Sequence, residues 1–200
     1  MTIRAQRLIE MAFAFATAIC TLSAAAAQPD PLIGPRLDNQ TVGVLRVDLA
    51  RIQSAKILSE ARELLGADAR HLNLVNRQVF AVDQWLDAFR KAGASEIFCL
   101  WTADGEVDQP LIVARPKVGG DAKQLLAGLR TGLPEGLHPQ RAVVDGNVIA
   151  GEGAPWLRLQ QRSREPRTDF MEALADAGDA PLAFVIAFSP DIQRVVAETL

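Results

Sequence analysis

Residues able to do chemistry are few and scattered along this chain. Asp104, Glu106 and Asp108 alternate in Asp104-Gly105-Glu106-Val107-Asp108, the way a calcium loop begins with oxygen ligands at its positions 1, 3 and 5. The match then fails. Glycine falls at position 2 instead of 6, and Arg115 stands at position 12, where a bidentate Glu is required. The run reads as a polar hairpin tip with an Asp-Gly turn. His71 and His138 are the only histidines, and neither has a Cys or a second His at zinc-binding spacing. Both read as surface residues, His71 at the start of a long helix and His138 in a Gly/Pro loop. Cys99 lies within Ile97-Phe98-Cys99-Leu100-Trp101. With no basic neighbour to lower its pKa it reads as a buried, inert thiol rather than a nucleophile.

The remaining motifs also stop short of a site. Ser54-Ala55-Lys56 misses the Ser-x-x-Lys spacing, and Gly-x-Ser-x-Gly does not occur. Gly119-Gly120 and Gly151-Glu152-Gly153 precede helices, as phosphate loops do. Neither continues as Gly-x-x-x-x-Gly-Lys or Gly-x-Gly-x-x-Gly, and Asp121 and Glu152 would repel a phosphate there. Arg158, Arg162, Arg164 and Arg167 form the one basic cluster, tempered by Glu165 and Asp169 and lacking interleaved aromatics for base stacking. It reads as a solvated helix end. The sequence thus assigns no catalytic, cofactor-binding or metal-ligating residue and implies no cofactor.

The elements that would position a site begin with a signal. Arg4 and Arg7 precede an uncharged apolar run from Met11 to Leu22, followed by Ser23-Ala24-Ala25-Ala26-Ala27. This is the layout of a secretion signal cleaved after Ala27, so residues 1–27 are expected to be removed and the protein to be periplasmic or extracellular. Ile19 before Cys20 does not fit a lipoprotein signal, which needs a small residue there. The run from Met11 to Leu22 is too short for a membrane span unless the following alanines are added, and no span is expected once the signal is removed. The formal charge is −3 over the whole chain and becomes one unit more negative on processing. Such a chain has no field for gathering nucleic acid or anionic lipid. Cys99 is then the only cysteine, so no internal disulfide is available and the core must hold the fold.

Residues 28–40 contain Pro29, Pro31, Gly34 and Pro35 and read as an extended linker. Thr41–Val47 is a strand with apolar residues on both faces, and Asp48 can cap the helix that follows, with Ile52, Ala55, Leu58, Ala61 and Leu65 at helical spacing. Leu72, Val75, Val79, Val82, Leu86 and Phe89 alternate steps of three and four, which predicts a helix over 69–92 closed by Gly93. Strands at 96–101 and 110–115 form a hairpin. Asp121 opens a helix with Ala122, Leu125, Leu126 and Leu129 buried, and Asp145-Gly146 joins strands 141–144 and 147–150 through a tight turn. A short helix carries Trp156 and Leu159 inward. Asp169 and Glu172 have capping-box spacing at the start of another, lined by Phe170, Ala173, Leu174 and Ala177. Pro181–Phe188 is a strand, and Ser189 or Asp191 starts a last helix.

The order strand, helices, strand, strand, helix, strand predicts an α+β fold of ferredoxin-like, split βαβ type, an antiparallel sheet with helices on one face. Residues 41–178 form that domain. Leu182–Ile192 echoes Thr41–Ile52, so residues 179–200 are expected to start a second, truncated unit of the same kind. The runs Val42-Gly43-Val44-Leu45-Arg46-Val47-Asp48, Asp145-Gly146-Asn147-Val148-Ile149-Ala150-Gly151 and Gly178-Asp179-Ala180-Pro181-Leu182 together resemble uncharacterised exported proteins of planctomycete-type bacteria with ferredoxin-like units. That resemblance implies no particular activity. The expected function is a non-enzymatic exported module that binds another protein or an envelope component. The alternative is an extracytoplasmic hydrolase whose active site lies in scattered residues or beyond residue 200.

Overall fold

A computed structural model describes residues 33–53, 56, 59, 69–103, 110–132, 140–161 and 167–190. Among the described residues six strands form one sheet: β1 Thr41–Asp48, β2 Ala94–Thr102, β3 Leu111–Pro116, β4 Gln140–Val144, β5 Asn147–Gly151 and β6 Leu182–Ile186. Their order across the sheet is β4-β5-β3-β2-β1-β6, and every neighbouring pair is antiparallel. The helices are α1 Ala69–Ala92, α2 Ala122–Gly132, α3 Gly153–Leu159 and α4 Thr168–Asp176, with a 3-10 turn at Gly34–Arg36. The α+β class and the antiparallel sheet are as the sequence pattern predicts. Among the described residues no helix is long and apolar enough to cross a membrane.

Helices cover both faces of the sheet, not one. Side chains alternate along each strand, and here both sets are apolar. Val44, Phe98, Leu100, Leu111, Val113 and Ile149 face one core, closed by Ile33 and Leu37 around the 3-10 turn, Trp156 and Leu159 of α3, and Phe170 and Leu174 of α4. Val47, Ile97, Cys99, Ala114 and Val148 face the other, closed by Leu86 and Phe89 of α1 and Ala122, Leu125 and Leu129 of α2. A sheet with apolar residues on both faces needs a layer on each. On α1, Leu86 and Phe89 are buried, Val82 and Trp85 are half-buried against the same core, and Phe80 faces solvent.

The split βαβ expectation is corrected by the strand order. That pattern sets the first two strands parallel with another strand between them. Here β1 and β2 pair directly and antiparallel, Asp48 opposite Glu96 and Leu45 opposite Cys99. The connection returns the chain to the end of the sheet it left. The Leu49 N–H donates to the Ser95 carbonyl at 3.0 Å. Arg90, near the end of α1, clamps this point, donating from Nε to the Leu49 carbonyl at 2.9 Å and from Nη2 to that of Ile52 at 3.0 Å. A strand re-entering at the end its neighbour left must run the opposite way. The Asp48 carboxylate accepts the N–H of Ala50 at 2.9 Å and of Arg51 at 3.3 Å, turning the chain away from the sheet. The helix expected over 52–65 lies largely outside the described residues.

Two segments pack otherwise than their local pattern suggests. The second half of the expected linker is core: Ile33 and Leu37 are almost fully buried, and Arg36 is buried with them. Its guanidinium donates to the Leu159 carbonyl at 2.8 Å and pairs with Asp145 at 2.6 Å. Pro35 and Gly34 here shape a tight turn under the sheet instead of a tether. The strand expected to open a second unit is instead β6, paired with β1 from Gly43 opposite Ile186 to Val47 opposite Leu182. An apolar five-residue strand finds its partner on the nearest open edge, which is β1. Residues 1–32 and 191–200, carrying the expected signal and last helix, lie outside the described residues.

Local chemistry places the rest. Asp145 and Gly146 take φ of 49° and 75°, the left-handed pair that a two-residue hairpin turn requires, and Val144 sits opposite Asn147. A side chain at Gly151 would force the buried Leu111 to shift, since its Cβ would fall on the Leu111 Cδ2 methyl. Asp121 accepts the Lys123 N–H at 2.9 Å at the start of α2. The capping box expected from Asp169 and Glu172 does not form. Asp169 lies inside the first turn of α4 and accepts instead from Arg167, the residue at the N-cap position.

Candidate interaction edge

The candidate chemical groups are spread over the fold, and the described ones serve its structure. Cys99 is buried in the core beneath α1 and α2. Burial pushes its thiol up to about 12 from an ordinary 9.0, so no thiolate forms near neutrality. A disulfide reagent at pH 8 should therefore leave Cys99 unlabelled in the native protein and label it once denaturant unfolds the chain. Rapid native labelling would place the thiol at the surface. Because the folded value is the higher one, the protein holds its proton longer than the unfolded chain, and stability falls as pH rises from about 9 toward 12.

Arg158 and Arg167, from the basic cluster, are tied inward. Arg158 Nε pairs with Asp38 at 3.0 Å. Arg167 lies over the Phe170 ring at 4.8 Å, donates to the Thr41 carbonyl at 3.0 Å and grips Asp169, whose carboxyl it holds below its ordinary range by that hydrogen bond. The Gly119-Gly120 turn closes on itself, with the Gly120 N–H donating to the Lys117 carbonyl at 2.7 Å. His71 lies on α1. The acidic run 104–108, His138, Arg162, Arg164 and Ser54 fall outside the described residues. Among the described residues no three His, Cys, Asp or Glu side chains could hold a metal ion. A crevice between Arg36, Asp38, Thr41, Leu100, Arg158 and Leu159 has a volume of about 10 Å³, roughly room for one water molecule. Small-molecule sites are larger by more than tenfold, about 300–1,000 Å³.

The feature the candidate residues did not point to is the β6 edge. Two hydrogen bonds set its phase: the Asp48 N–H donates to the Pro181 carbonyl at 2.9 Å, and the Ala187 N–H to that of Val42 at 3.2 Å. Bonded pairs alternate in an antiparallel ladder, so Ala183 and Val185 turn their backbone groups toward β1. Leu182, Phe184 and Ile186 therefore turn theirs outward, and no strand among the described residues pairs with them. Pro181 to Pro190 contains no charged residue. Ile186 is 45% and Phe188 50% exposed, while Phe184 packs edge-to-face on Trp101 at 5.7 Å.

Sheet edges are usually guarded by charge, proline or a covering element. The opposite edge, β4, carries Arg141 in its strand; β6 has no such residue. In dilute protein the Ala183 and Val185 amides should exchange with solvent orders of magnitude more slowly than those of Leu182, Phe184 and Ile186. Uniform exchange along 182–186, read by NMR, would contradict this phase. The sequence signal was present as an uncharged apolar run, but periodicity does not say whether such a strand is central or at an edge.

Fold and edge together define an α+β domain: a six-stranded antiparallel sheet between two helical layers with one uncharged outer strand. Comparison with protein-family models, curated proteins and solved structures gave no match.

Proposed function

We propose that this chain is exported, is processed after Ala27, and acts outside the cytoplasm as a non-enzymatic binding module. On this reading it captures an extended segment of a partner protein along β6. The observation that carries the reading is the uncharged strand Leu182–Ile186 with outward backbone groups at alternate residues and Ile186 exposed beside them. Adding a strand to such an edge satisfies those groups, and the flanking side chains supply selectivity. The acidic net charge fits a partner held by backbone bonds and apolar contact, not by attraction to an anionic polymer. The basic start, apolar run and alanine site support export.

A photo-crosslinking amino acid in place of Ile186, in cells that export the protein, should give a discrete covalent conjugate. The same group in place of Leu157, 60% exposed on α3, should give none. No conjugate from position 186, or equal conjugates from both, would end the edge-binding proposal. Sequencing the exported chain should read from Gln28, and a chain starting at Met1 or Thr2 would refute processing.

A further inference from the structure

We infer that the partner on the β6 edge is a second copy of this chain, paired strand to strand about a two-fold axis at Phe184. The inference rests on the edge-binding reading above and names its occupant. Consider two copies of β6 brought together antiparallel with Phe184 opposite Phe184. Leu182 then falls opposite Ile186, Ile186 opposite Leu182, and Ala183 opposite Val185. The residues with outward backbone groups are Leu182, Phe184 and Ile186, so in this register each faces another such residue. Every one of these pairs can exchange both of its backbone hydrogen bonds. A register shifted by one residue would oppose outward groups to inward ones and lose them.

Side chains fit the same axis. Residues of one parity share a face of the sheet. Leu182, Phe184 and Ile186 therefore meet their own kind on the α1 and α2 side, while Ala183 and Val185 meet on the side of α3 and α4. All are apolar. Like charges placed opposite each other would oppose a self-pair, and the run Pro181–Pro190 has none. Phe184, already edge-to-face on Trp101, would meet its symmetry mate, and the exposed Ile186 would be covered by Leu182. A two-fold interface uses one patch twice, so a self-complementary strand is sufficient. Pairing through β4 would instead bring Arg141 toward its own copy.

The test uses the purified full chain. Sedimentation velocity across a concentration series should show a monomer–dimer equilibrium. Ile186→Lys, at an exposed position that leaves the fold intact, should weaken it by roughly tenfold or more. In a Cys20→Ser background, Phe184→Cys should form a disulfide-linked dimer on mild oxidation. Bonded antiparallel partners stand about 5.5 Å apart at Cα, inside the disulfide range. Val185→Cys, whose copies lie out of register on the other face, should not. Cys99 is buried and does not compete. A wild-type chain that stays monomeric at high concentration overturns the inference, as does a dimer indifferent to Ile186→Lys. In the crosslinking experiment above, a conjugate with the mass of two copies supports self-pairing. A conjugate of another mass overturns self-pairing while leaving the binding-module reading intact, and no conjugate removes both.

Discussion

Leu37→Asp is expected to lower the melting temperature by roughly 6–20 °C, because it places an unpaired charge where the chain has no exposed surface. Leu37 is fully buried in the core shared by Phe98, Leu100, Trp156 and Phe170. An uncompensated charge in such a place costs about 3–5 kcal/mol, and each kcal/mol shifts the midpoint of a domain this size by roughly 2–4 °C. The position cannot swing outward to relieve the charge, because it is held from both sides. Its own N–H donates to the Gly34 carbonyl at 3.2 Å, and its carbonyl accepts the Arg167 N–H at 3.2 Å. One residue before it, Arg36 joins Asp145 at the β4–β5 turn and Leu159 at the end of α3. Asn39→Asp, in the same segment but exposed, is the matched control and should stay within about 0.5 kcal/mol of wild type. Circular dichroism melts of the two proteins decide the matter. Equal melting temperatures would show that residues 33–38 are the tether their composition suggests.

That segment shows where reading the sequence succeeds and where it stops. Ile33-Gly34-Pro35-Arg36-Leu37 has the Pro and Gly of a linker, and those residues do break regular structure. Whether a broken segment is solvated or buried depends on the space beneath it, here between α3, α4 and the sheet, which no local pattern encodes. Local chemistry was legible. The span of α1 followed from three-and-four spacing and Gly93, which takes φ of 96° just past the helix, and the β4–β5 turn followed from Asp145-Gly146. The two apolar faces of Thr41–Val47 were visible too, and they already called for a layer on each side of the sheet. Strand order was not legible, because the pairing of β1 with β2 is set across a connection of more than forty residues. It depends on contacts such as Arg90 with Leu49 and Ile52, which look in sequence like any helix-terminal arginine. The β6 edge was hidden for the same reason. Its apolar run was plain, and its neighbour was not.

A chain ending at Asp179 should fail to fold, although it contains all of the domain expected over 41–178. It loses β6, and β1 then becomes an edge strand whose buried residues Val44 and Val47 lose a neighbour on one side. Ala183 leaves the core beneath α4, and Trp101 loses the Phe184 ring. The polar loss is as large. Arg46, half-buried on β1, donates to the carbonyls of Leu174, Gly178 and Ala180, a cluster that closes the end of α4 and the approach to β6. Arg167 donates to the Ala187 carbonyl at 3.3 Å beyond the far end of the strand. Removing residues 180–200 takes away two of these carbonyls, those of Ala180 and Ala187, and leaves each guanidinium one acceptor short, at a cost of about 1–3 kcal/mol for each N–H left unsatisfied. Together with the lost apolar burial, this approaches the whole stability of a typical domain, about 5–15 kcal/mol. A chain ending at Pro190 separates the contribution of β6 from that of the residues after it, and should keep a cooperative melt. The Asp179 chain should show none, and should aggregate through the bared β1 edge. A melt at the wild-type temperature from the Asp179 chain would make β6 an accessory strand and restore 41–178 as a domain that stands alone.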